Sequence, residues 1–115
     1  MRILVTGSRD WDKPGDILTL LMPYMGYDVT LVSGACPTGA DSQAEDFAEG
    51  FGWTVERHPA DWEQFGKRAG YLRNQHMVDL GADLCLAFIK DNSRGASMCA
   101  GLAEKAGIRT VRHIV

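Results

Sequence analysis

Two short apolar runs, Ile3-Leu4-Val5 and Val29-Thr30-Leu31-Val32, each break straight into a glycine turn that is followed by helix-like sequence. The turns are Gly7-Ser8-Arg9 and Gly34-Ala35-Cys36-Pro37-Thr38-Gly39-Ala40-Asp41. A strand that ends in such a turn and feeds a helix is the first half of a βαβ unit, and these units assemble into parallel sheets. Glycine admits positive φ and close approach to the main chain, while unpaired N–H groups at the start of the next helix favour an anion. The expected ligand is a nucleotide or nucleotide-derived small molecule, in a phosphate-cradling crevice at the C-terminal ends of the strands.

The rest of the chain repeats the alternation. Strands are expected at residues 2–6, 29–33, 53–57, 84–89 and 110–114, the fourth apolar throughout and suited to burial on both faces. Asp16 is expected to cap a first helix with Ile17, Leu20, Leu21 and Tyr24 on its apolar face, ending near Gly26. Asp41 stands before a second helix carrying Ala44, Phe47, Ala48 and Phe51. After the Pro59 loop a third helix is expected over about 64–79, and after the turn at 91–95 a fourth over about 96–106. The expectation is an α/β chain forming one Rossmann-like domain over 1–115, with a mostly parallel five-stranded sheet and about four helices.

Composition narrows the function classes. The 115 residues are 45% hydrophobic and 23% charged with a net charge of −3, which disfavours a surface built for nucleic acid. No apolar stretch reads as a signal peptide or membrane span, so the expected compartment is the cytoplasm. Cys36, Cys85 and Cys99 lack paired metal-ligand spacing, as do His58, His76 and His113, so no metal is expected. Gly66-Lys67 lacks the remaining parts of a P-loop, and no second glycine follows Gly7 until Gly15. No cofactor is therefore expected. Leu21, Met22, Tyr24 and Met25 give the first helix more apolar surface than one face hides, which points to a homo-oligomer such as a dimer.

Right-handed crossovers bring the loops after the strands to one edge of the sheet. The candidate ligand-binding residues are Gly7, Ser8 and Arg9 after the first strand, and Gly34, Ala35, Thr38, Gly39 and Asp41 after the second. Asp61 and Trp62 follow the third strand, Arg73 and Asn74 lie on the third helix, and Ser93, Arg94 and Gly95 follow the fourth strand. Several carry a second reading. Asp41 serves either as a helix cap or as a ribose-binding or catalytic carboxylate, and Asp61 as a cap of the following turn. Arg73, Arg9 and Arg94 are anion-binding or solvated arginines, and Trp62 stacks on a base or anchors its loop.

Gly7-Ser8-Arg9, Ser33-Gly34-Ala35 with Gly39-Ala40-Asp41 and Ala44, Pro59-Ala60-Asp61-Trp62, Gly66, Ala69-Gly70, Arg73-Asn74 and Met77, in this order and spacing, resemble the YspA or YpsA-related branch of the SLOG superfamily. The superfamily is named for the Smf/DprA and Lonely Guy proteins. The resemblance implies a Rossmann-like sheet that binds nucleotides or their derivatives, in a chain of bacterial or phage origin. Relatives hydrolyse the N-glycosidic bond of nucleoside monophosphates, bind single-stranded DNA, or sense NAD-derived signals in defence. In the hydrolases the loop after the fourth strand reads Pro-Gly-Gly-x-Gly-Thr and is followed by an acidic residue. Here the stretch is Asn92 to Cys99: Gly95 is kept, Ala96 lacks the threonine hydroxyl, and Met98 and Cys99 stand where the carboxylate is expected. Arg73 and Met77 match the upstream helix. Binding without turnover is thus the leading expectation, hydrolysis through Asp41 or Asp61 the alternative, and single-stranded DNA binding a third.

Overall fold

The computed structural model describes residues 1–115. Five strands form one sheet in the order β3-β2-β1-β4-β5, and all four pairings are parallel. The strands are β1 (Arg2–Gly7), β2 (Thr30–Ser33), β3 (Thr54–Arg57), β4 (Leu84–Ile89) and β5 (Thr110–Ile114). The helices are α1 (Pro14–Leu21), α2 (Gly39–Gly50), the single turn α3 (Trp62–Phe65), α4 (Ala69–Asp79) and α5 (Arg94–Lys105). This is an α/β Rossmann-like fold.

Alternation along the strands sends side chains to two cores. Ile3 and Val5 join Leu31, Leu84, Leu86 and Phe88 beneath α1 and α2, in contact with Ile17, Leu21, Ala44 and Ala48. Leu4, Val32 and Cys85 face the other way, against Met77 and Val78 of α4 and Cys99 and Ala103 of α5. Every residue of β4 is buried, as its unbroken apolar run predicts. The strand order reverses between β1 and β4, whose following loops diverge to opposite faces and open a crevice at the sheet's C-terminal edge.

Three local expectations are corrected. Asp16 does not cap α1: Lys13 holds the N-cap position, Pro14 opens the helix, and Asp16 pairs with His113 of β5 at 3.1 Å. Tyr24 lies in a 3₁₀ turn (Met22–Tyr24) after α1, which ends at Leu21. Leu21 is fully buried and Tyr24 packs on the core, so the exposed apolar side chains there are Met22, Met25 and Tyr27. The third helix is not continuous over 64–79. Gly66 adopts φ 57° and ψ −131°, which ends α3, and a 3₁₀ turn (Gly66–Arg68) then leads into α4.

Candidate functional site

The crevice at the switch point is a cleft of about 960 Å³. Its walls come from the loops after β1, β2, β3 and β4 and from one face of α4, elements distant in sequence that the parallel topology gathers at one edge. Of the candidates, Gly7, Ser8, Arg9, Gly34, Ala35, Asp41, Trp62, Arg73, Asn74, Ser93 and Gly95 line it. Thr38, Gly39, Asp61 and Arg94 do not. The Thr38 hydroxyl donates to the Arg9 carbonyl at 3.0 Å, and Arg94 is exposed at the start of α5. Asp61 caps α3 by accepting from the Gln64 amide at 3.1 Å, and lines a separate hollow with His58 and His76.

The turn after β2 differs from the expected open cradle because the chain itself satisfies three of its amides. Ala35 N–H donates to Ser33 Oγ at 3.1 Å, Cys36 N–H to Asp41 Oδ2 at 3.2 Å, and Ala40 N–H to the Ser8 carbonyl at 3.2 Å. Positive φ falls on Ala35 (61°) and Gly39 (74°), not on Gly7 or Gly34. A Cβ on Gly39 would lie 2.3 Å from the Ser8 carbonyl oxygen, so this glycine locks the β1 and β2 loops together. Gly7 packs equally tightly against Ala40 and Phe88. Ser8 is buried with its hydroxyl committed to the Lys90 backbone, accepting from N–H at 2.8 Å and donating to the carbonyl at 3.3 Å.

Asp41 is not a helix cap. Thr38 holds that position, and Asp41 is the third residue of α2 with its carboxylate turned back onto the preceding loop. Glu45 completes no capping box; it accepts from Ser33 Oγ at 2.6 Å and pairs with Arg57 at 3.0 Å. Asp41 is 6% exposed. Burial raises its carboxyl to about 6, against the opposing pull of the Cys36 amide, Arg73 and Arg9, with Glu45 adding to the rise.

Arg73 projects from α4 into the same corner. Its Nε donates to Asn74 Oδ1 at 2.7 Å and its Nη1 to the Gly34 carbonyl, while Nη2 has no partner in the chain. Asn74 is 5% exposed and its amide nitrogen is likewise unpartnered, so both side chains bring free donors to the cleft. Across the opening, Ser93 gives α5 no side-chain cap, and the first α5 amide with a backbone partner is that of Ser97. Gly95 and Ala96 therefore present unpaired N–H groups at a helix N-terminus that borders the cleft. Trp62 is half exposed, lies against Gly70 and has the Arg9 guanidinium 5.7 Å from its ring centroid.

Sequence reasoning missed Lys67, Gly70, Tyr71, Met77 and Met98 as cleft-lining residues. The signal was present for α4: positions 70, 71, 74 and 77 recur at helical spacing and form one face. Cys99, at a position where a catalytic carboxylate is expected, is fully buried, and Met98 brings only a thioether to the wall. No helix is long and apolar enough to cross a membrane.

Comparison with known proteins places this geometry in a family. The chain is 42% identical to the Gene 61 protein of Mycobacterium phage D29 over 118 aligned positions, covering 96% of this chain and 94% of that one. Among solved structures, it aligns with acetoin dehydrogenase YohF from Salmonella typhimurium with a TM-score of 0.49 and 17% identity, covering 97% of this chain and 57% of that one. The family model described as "YspA, cpYpsA-related SLOG family" matches residues 1–65. With a match over more than half its length and a relative at that identity, the chain belongs to the YspA, cpYpsA-related SLOG family.

Proposed function

We propose that this protein binds a nucleotide or nucleotide-derived small molecule in the switch-point cleft, as a sensor, carrier or sequestering module. The observation that carries the reading is the pairing of free donors around one opening: Arg73 Nη2, the Asn74 amide and the uncapped start of α5. Together they form an anion site, and the α5 end takes the phosphate because it borders the cleft, whereas in the turn after β2 the amides of Ala35 and Cys36 are spent on Ser33 and Asp41, and Thr38 and Gly39 lie outside the cleft. Trp62, half exposed at the wall, offers an aromatic face to a base. The cleft volume lies at the upper end of the range for small-molecule sites.

The test is to incubate the protein with a pool of nucleoside monophosphates, NAD, ADP-ribose, cyclic ADP-ribose and short oligonucleotides, and to analyse retained and free fractions by mass spectrometry. Retention of one intact small molecule supports the proposal, and retention of none overturns it. A second reading, N-glycosidic hydrolysis, is favoured by one observation: the Asp41 carboxyl titrates near 6 inside the cleft, within range for general acid–base chemistry. Release of free base in the same experiment, lost in Asp41→Asn, would establish that reading instead.

A further inference from the structure

Gly34 is the point on which Asp41 and Arg73 converge. A Cβ built there would lie 2.8 Å from Arg73 Nη1 and 3.0 Å from Asp41 Oδ2, so the two groups are separated by less than the sum of those distances. They nevertheless form no direct ion pair. A nearly buried carboxylate and a guanidinium thus stand slightly too far apart to touch, both at the wall of the cleft.

The group that bridges such a pair must donate to the carboxylate and accept from the guanidinium. A dianionic phosphate has no proton to donate and is repelled by Asp41. An ammonium cannot accept and is repelled by Arg73. A hydroxyl does both and brings no charge. Resting on the nucleotide reading above, we infer that Asp41 and Arg73 form a hydroxyl reader over Gly34, which selects ribose over deoxyribose in the bound ligand. The phosphate then lies toward α5 and the sugar toward α2. A deoxy ligand leaves both charged groups without their bridge, which costs more than the absence of a neutral hydrogen bond.

The experiment is calorimetric titration of the intact protein with AMP, GMP, CMP and UMP, with their 2′-deoxy and 3′-deoxy counterparts, and with ribose 5-phosphate against 2-deoxyribose 5-phosphate. Whichever compounds bind are expected to lose roughly ten- to hundredfold in affinity when the bridging hydroxyl is absent. In Asp41→Asn that ratio should collapse toward one, through weaker binding of the ribose form. Equal affinity of the wild-type protein for ribo and deoxy forms overturns the hydroxyl reader and leaves nucleotide binding standing. Failure of every compound to bind, with nothing retained from the pool above, overturns both. The wild-type comparison decides the matter even if the variant does not fold.

Discussion

Asp41 shows how a single residue can be costly to the fold and useful to the site. Its carboxyl titrates near 6 in the folded chain because burial outweighs the Cys36 amide, Arg73 and Arg9. In the unfolded chain it titrates in the ordinary aspartate range near 4. Below about pH 4 the group is protonated in both states and costs nothing. Between the two values the unfolded state has already released its proton, so stability falls as pH rises, and the loss is complete above about 6. A displacement of this size corresponds to about 3 kcal/mol. Asp41→Asn is therefore expected to melt at a higher temperature than the wild type at pH 7.5, with the difference closing below pH 4. Thermal unfolding followed by circular dichroism at the two pH values checks this, and a destabilised variant at pH 7.5 would refute it. The local rule for an aspartate near a helix start expects a cap. That the carboxylate instead reaches the amide of Cys36 depends on how the turn folds back, which no spacing rule encodes.

Elements were legible where periodicity alone decides them and illegible where one backbone conformation does. The unbroken apolar run of β4, the alternation of Ile3-Leu4-Val5 and the face of α2 each follow from burial. The break between α3 and α4 does not, because a lone glycine inside a helical pattern is ordinarily tolerated. Here Asp61 caps a one-turn helix and Gly66 takes a backbone conformation that an L side chain strains to adopt. A Cβ at Gly66 meets nothing within 4 Å, so Gly66→Ala isolates the backbone cost. It is expected to lower stability by roughly 1–3 kcal/mol in denaturant titrations. Across the sheet, Arg2 of β1 grips Glu56 of β3 with two hydrogen bonds, at 2.9 and 2.8 Å, that span β2. Arg2, then His58, holds the Glu56 carboxyl down at about 2. That stabilisation is present above the ordinary glutamate range and is lost as pH falls toward 2. With a side chain one-third exposed, the pair is worth about 1 kcal/mol. Glu56→Gln should lose that amount at pH 7 and match the wild type near pH 2.

At the scale of the whole molecule, the cleft joins loops from both halves of the sheet, and Arg73 ties the loops after β2 and β3 to α4. From α4 its Nη1 reaches the carbonyls of Gly34 after β2 and, at 3.5 Å, His58 after β3, and the loop after β4 lines the same cleft. A ligand seated there cross-links segments separated by most of the chain, so its binding energy should appear as global stability rather than as local ordering of one loop. A ligand at about a hundred times its dissociation constant adds roughly 2.7 kcal/mol to a folded state that alone binds it. For a chain of this size that raises the melting temperature by several degrees. Arg73→Ala removes hydrogen bonds from a charged donor and is expected to lower the unliganded stability by about 1–2 kcal/mol, leaving the sheet intact. Its larger effect is on linkage: the ligand-induced rise should vanish, because the anion site loses its central donor. Thermal melts of wild type and variant, with and without the compound retained in the pool experiment, separate the two effects. A variant that melts slightly lower yet keeps the full ligand-induced rise would show that Arg73 only braces the loops, and would move the anion site to the start of α5 alone.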